Sequence, residues 1–260
     1  MAAASLQMEM DFMITINCDM GESFGIYRLG DDEALMNYVT HINVACGFHA
    51  SDPNVMWQTV RNAKKKGVKI GAHPGLADRE GFGRREIRMT RDEVAANVLY
   101  QAGALQAFLA AERMPLTHVK PHGALMGMAQ KDEEIANGIA DAVEVLQVPM
   151  IAIGNCVLAD VLARRGIPFV REFYADLDYD DKGVQIMTRH HDAIAPDRAS
   201  AKVLRAIREG WTASTSGTDV NVFAESICVH SDTPGAAEVA KAVFEATRSF
   251  LQDDLLPATG

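Results

Sequence analysis

Seven short apolar runs alternate with helical patterns along this chain, and most of the runs end in ionisable residues. The runs are Phe12–Ile16, His41–Ala45, Val68–Ala72, Leu116–Val119, Pro149–Ile153, Ile167–Arg171 and Ser226–Val229. They are rich in Val and Ile and nearly continuous in apolar character, the pattern of parallel strands buried on both faces. Asp52-Pro53 opens a helix with proline at its first position. Thr90-Arg91-Asp92-Glu93 has the form of a capping box, and Val94, Val98, Ala102, Leu105 and Leu109 continue at helical spacing. Further helices are read over Asp132–Leu146, Asn155–Arg165, Ala199–Glu209 and Pro234–Leu251.

This alternation, without a break in composition, predicts a single α/β catalytic domain over residues 12–260. Seven such units can close as a parallel β/α barrel or lie open and doubly wound. No GxGxxG follows the first run, which favours the seven-stranded barrel. Residues 1–11 carry neither the basic nor the apolar part of a signal peptide and are expected to be a disordered extension. Gly75–Met89 and Tyr174–Pro196 are longer than simple connections need, and loops of that kind are often lids or substrate contacts.

The net charge of -10 argues against a nucleic-acid partner, whose backbone requires a basic surface. No apolar run approaches the ~20 residues that cross a membrane. The four cysteines are widely spaced and form no CxxC, as free thiols in a reducing cytoplasm would be.

In a parallel α/β fold all strand C-termini lie on one face, so the blocks ending these runs can meet in one site. Asp19 and Glu22 follow the first run, and either suits a metal, a general base or a substrate amine. His49 and Asp52 follow the second, although Asp52 before Pro53 is also a good N-cap. His73 ends the third, and Arg84 and Arg85 sit on a glycine-flanked loop beyond it, where they can grip a carboxylate or phosphate. Lys120-Pro121-His122-Gly123 is the sharpest block. A lysine at the end of a buried strand must be paired, and with His122 it suits oxyanion stabilisation and proton transfer. His118, deeper on the same side, reads as a core histidine. Glu172, Asp176, His230 and Asp232 complete the set. Asp19, His49, His73 and His122 are candidate ligands for a divalent metal, though no metalloprotease or paired-histidine motif is present. No phosphate loop is present either.

Taken in order, these blocks resemble the LamB/YcsF family, also described as the A component of 5-oxoprolinase. The matching segments are Asn17–Glu22, Ile42–Pro53, Gly71–Pro74 with Gly81–Arg85, Val119–Leu125 and Ile227–Asp232. Leu177 stands where the family pattern has arginine, and Arg189 keeps a basic position ahead of His190-His191. The resemblance implies a seven-stranded β/α barrel akin to the glycoside hydrolase/deacetylase superfamily. It also implies a hydrolase component that opens 5-oxo-L-proline, or a related small lactam, to glutamate with hydrolysis of ATP, beside two further subunits, B and C. The expected catalytic residues are Asp19, His49, His73, Lys120, His122 and His230. Glu22, Asp52, Arg84, Glu172, Asp176, Arg189 and Asp232 are the expected substrate contacts. Two other readings stay open: a stand-alone metal-dependent deacetylase or amide hydrolase, and a non-catalytic substrate-binding component.

Overall fold

A computed structural model describes residues 13–187 and 192–251. The expectations for residues 1–11 and for Arg189 lie outside the described residues. In chain order the elements are β1 (Thr15–Met20), α1 (Asp32–Leu35), β2 (His41–Ala45), α2 (Pro53–Lys66), β3 (Lys69–His73), α3 (Arg91–Glu112), α4 (Gly123–Ala129), α5 (Glu133–Leu146), β4 (Met150–Ile153), α6 (Val157–Arg165), β5 (Phe169–Tyr174), α7 (Pro196–Glu209), β6 (Trp211–Ala213), β7 (Asp219–Asn221), β8 (Ser226–His230) and α8 (Ala236–Thr247).

Six parallel strands form a curled sheet in the order β3-β2-β1-β8-β5-β4. The expected strand Leu116–Val119 does not form as a regular strand. Instead, Val119 makes single parallel bridges to Ala72 of β3 and Met150 of β4, the two edge strands. Lys120 N–H donates to Ala72 O at 2.9 Å, and Ile151 N–H donates to Val119 O at 2.9 Å. Pro115 and Pro121 flank this segment, and neither has an N–H to extend the ladder. Among the described residues, six parallel strands with one extended segment between the sheet edges therefore stand where seven strands were expected.

The strands are also less uniformly apolar than anticipated. Ile16, Cys18 and Met20 of β1 and Ile42 and Val44 of β2 belong to the apolar core shared with the helices. The alternate residues Asn17, Asp19 and Asn43 hydrogen-bond to one another and lie inside the curl. The period-2 alternation of side chains separates an apolar outside from a polar inside.

The helix signals read from sequence match the structure closely. Asp52 caps α2, Asp132 caps α5, and Thr90 and Glu93 form a complete capping box on α3. The 22-residue α3 is long and apolar enough, by length and composition, to cross a membrane, which corrects the reading that no such segment exists. Here Val94, Val98, Ala102, Leu105 and Leu109 bury its inner stripe in the core. Each buried Val or Leu contributes roughly 1.5–3 kcal/mol. Helix α4 and the β6–β7 hairpin were not anticipated: α4 has no capping side chain, and the hairpin strands are three residues each.

Gly71 in β3 has no room for a side chain. A Cβ there would lie 2.2 Å from His118 Nε2. Gly103, within α3, has nothing among the described residues within 4 Å of its Cβ position. Gly71→Ala is expected to lower stability by about 1–3 kcal/mol through overpacking. Gly103→Ala is expected to raise it by up to ~1 kcal/mol. Urea midpoints at unchanged slope read both.

Candidate active site

Lys120 occupies the middle of the polar interior and is 2% exposed. Its Nζ lies 2.8 Å from Glu172 Oε1, 3.0 Å from Asp19 Oδ1, 3.2 Å from Asn17 Oδ1 and 3.1 Å from Cys228 Sγ. Burial opposes the charge, but Asp19, Cys228 and Glu172 outweigh it and hold the ammonium well above the usual lysine range. Burial pushes the Cys228 thiol well above its usual range, against the pull of the Lys120 ammonium.

The acceptors around Lys120 are themselves held. Asn43 Nδ2 donates to Asn17 Oδ1 at 2.7 Å and to Asp19 Oδ1 at 2.8 Å. Asn17 Nδ2 donates to Glu172 Oε1 and Ser226 Oγ, each at 2.9 Å. His118 Nε2 lies 2.7 Å from Asn43 Oδ1, and burial holds this ring neutral, so His118 is the core histidine expected. Burial disfavours the Asp19 carboxylate, but His73 and Lys120 overcome that and keep it well below the ordinary range. Glu172 Oε2 is buried, with no hydrogen-bond partner among the described residues.

Beside this cluster, His49, His73 and His122 come together with Glu22. His73 Nε2 is 3.3 Å from Asp19 Oδ2 and 3.0 Å from His122 Nδ1. His49 Nε2 is 3.2 Å from Glu22 Oε1. The His49 and His122 rings stack with centroids 3.7 Å apart. Burial holds both rings neutral and pushes Glu22 well above the usual carboxylate range. Burial and nearby Asp19 and Asp232 thus push Glu22 up, while His73 and Lys120 hold Asp19 down. One ligand atom from each of Glu22, His49, His73 and His122 lies within 4.8 Å of the others, and Asp19, Cys228 and His230 form a second such group.

His230 is set by Asp176. The imidazole Nδ1 lies 3.0 Å from Asp176 Oδ1, and the His230 N–H and the Thr233 hydroxyl donate to Oδ2 at 2.8 and 3.0 Å. Burial works against protonation of His230, but Asp176 outweighs it and raises its pKa. Tyr174 stacks on His230 with centroids 5.3 Å apart, and Lys120 Nζ sits 5.6 Å from the Tyr174 ring centre.

Asp19, His73, Arg84, Lys120, His122, Tyr174 and His230 line a small cavity of about 20 Å³ at the strand C-termini. A neighbouring cavity of about 380 Å³ shares Gly127, Gln130, Gln185 and Met187 with it, and Glu172 is in its wall. Of the expected site residues, Asp19, His73, Arg84, Lys120, His122 and His230 line the small cavity. His49 and Glu22 join through the histidine cluster. Asp52 stands apart: Oδ1 caps α2 and Oδ2 accepts from Gly25 N–H at 2.8 Å. Asp176 lies behind His230, and Asp232 pairs with Arg84 at 2.8 Å. Arg85 pairs with Asp78 on its own loop, away from these cavities. Sequence reasoning did not select Asn17, Asn43 or Tyr174 as site residues; buried amides in otherwise apolar strands were the available signal.

Lys120→Met is expected to cost about 3–5 kcal/mol at pH 7, because it strands buried carboxylates. In the native chain the depressed Asp19 contributes stability that is present above its unfolded pKa and lost as pH falls. Without Lys120 burial raises Asp19 instead, and protonation relieves it. The deficit should therefore shrink between pH 7 and pH 4 in urea titrations.

Residues 14–252 match the LamB/YcsF family. The A component of 5-oxoprolinase from Bacillus licheniformis is 45% identical over 234 residues, covering 88% of this chain and 92% of that protein. The Bacillus subtilis protein of the same name is 42% identical over 236 residues, 89% of this chain and 92% of its own length. The crystal structure of the lactam utilization protein from Thermus thermophilus superimposes with a TM-score of 0.85 at 40% identity, covering 91% of this chain and 96% of that one.

Proposed function

The chain belongs to the LamB/YcsF family, and on that premise we propose that it is the lactam-handling component of an ATP-dependent 5-oxoprolinase. It would act with further subunits to open 5-oxo-L-proline, or a closely related small lactam, to glutamate. The observation that carries this reading is the pairing of a fixed donor with an unfilled acceptor. Lys120 presents an ammonium, and Glu172 Oε2 presents a buried lone pair without a partner among the described residues. A lactam offers the complementary pair in one ring: a carbonyl oxygen for Lys120 and an N–H for Glu172.

In the proposed reaction water attacks the lactam carbonyl carbon, the ring C–N bond breaks, and the nitrogen leaves as an amine with a gained proton. Lys120 stabilises the charge that grows on the carbonyl oxygen, which must displace one of its present acceptors to reach Nζ. His230, oriented by Asp176, takes the proton from water and returns it to the ring nitrogen. Asp176 on Nδ1 fixes the orientation of the His230 ring for that role. Arg84 is the proposed grip for the substrate carboxylate, with Asp232 as its partner when the site is empty. ATP would phosphorylate the carbonyl oxygen, releasing ADP and making the resistant amide a better electrophile. Opening of the phosphorylated ring by the first water would leave an acyl phosphate, which a second water hydrolyses to glutamate and phosphate. The cytoplasm is the proposed compartment, consistent with four free thiols.

The histidine cluster favours one second reading, a stand-alone metal-dependent amide hydrolase. Glutamate release from 5-oxoproline plus ATP separates the two. The proposal expects release only when this chain is combined with its partner subunits, and none from the partners alone. Lys120→Ala should lower kcat by about 10²–10³ in that mixture. Glutamate from this chain alone, without ATP, would establish the second reading, and full turnover by Lys120→Ala would remove the role given to Lys120.

A further inference from the structure

We infer that Glu22, His49, His73 and His122 form a binding site for one zinc-class divalent cation, distinct from the Lys120 cluster. The positions of the imidazole protons are fixed by backbone acceptors. His73 Nδ1 lies 2.7 Å from the backbone carbonyl of Lys120, and His122 Nε2 lies 2.7 Å from that of Phe82. A carbonyl oxygen only accepts, so both of those nitrogens carry the proton. The remaining nitrogens, His73 Nε2 and His122 Nδ1, turn toward each other. They lie 3.0 Å apart, with Asp19 Oδ2 3.3 Å from His73 Nε2.

Other polar atoms surround that contact. Glu22 Oε1 lies 3.8 Å from His122 Nδ1 and 3.2 Å from His49 Nε2. His49 Nδ1 is buried and has no hydrogen-bond partner among the described residues. Four converging donors left facing one another are costly unless something positive sits among them. Their spacing is near the ~3.3 Å that separates ligands around a tetrahedral ion with ~2.0 Å bonds. The carbonyls on the far nitrogens provide the outer hydrogen bonds that orient metal-binding histidines. Three imidazoles and a carboxylate are donors of the kind zinc takes. The alternative group of Asp19, Cys228 and His230 is a poorer choice, because the Lys120 ammonium already sits on Asp19 and Cys228. Asp19, expected from sequence as a ligand, is committed to Lys120 and Asn43 through Oδ1, and Glu22 takes its place.

The test does not depend on catalysis or on the lactam reading. The full chain is stripped with a chelator, checked for folding by circular dichroism, and titrated with Zn²⁺ by calorimetry and with Co²⁺ by visible absorption. The inference expects one equivalent bound per chain and the intense d–d bands of a four-coordinate cobalt site. Glu22→Gln, His49→Gln, His73→Gln and His122→Gln should each weaken binding by at least about 10–100-fold, since even outer-shell changes cost that much. His41→Gln, outside the cluster, should leave it unchanged. A folded apo chain that binds neither ion would overturn the inference, as would binding that survives all four cluster substitutions. In either case a shared proton or a water would be what separates the facing nitrogens.

Discussion

A buried ammonium organises this molecule. Lys120 reaches the centre of the curled sheet, where a lone charge would be expensive, and it is tolerated because three strands supply its partners. Asp19 and Asn17 come from β1, Glu172 from β5 and Cys228 from β8. Each partner is positioned in turn by a neighbour such as Asn43 or Ser226. Satisfying one lysine thus ties together strands far apart in sequence and leaves little freedom in their register. Half-satisfied, such a network would be worse than an apolar core, which is why so many polar residues accompany it.

That network sets the electrostatic division of the site. On one side the lysine and the ionised Asp19 form a compensated pair, with Glu172 extending toward the larger cavity. On the other, three histidines and a protonation-prone Glu22 form a second centre, joined to the first through His73 and Asp19. His230 and Asp176 close a third side. Two carboxylates a few residues apart, Asp19 and Glu22, are driven in opposite directions by their surroundings, a common way for one site to hold both acid and base.

Much of this was legible in the sequence, because strand-end placement is a consequence of parallel topology. Lys120, His73 and His230 converge as their positions at the ends of apolar runs implied. Capped helices were legible because Thr90, Asp52 and Asp132 act locally. Asp52 was over-read: the N-cap accounts for one carboxylate oxygen and Gly25 for the other. The polar interior was under-read, since Asn17 and Asn43 sit in runs whose average is apolar, and only the three-dimensional alternation shows which way they face. The bridging segment at Val119 was read as a full strand because apolar character does not count hydrogen-bond donors, which the flanking prolines lack.

The central claim is that a lactam meets Lys120 and Glu172 together. A crystal structure of this chain soaked with 5-oxoproline tests it most directly. The predicted result is the ring carbonyl oxygen within hydrogen-bond distance of Lys120 Nζ and the ring N–H on Glu172 Oε2. A lactam ordered elsewhere in the larger cavity, with neither group in reach, would contradict it.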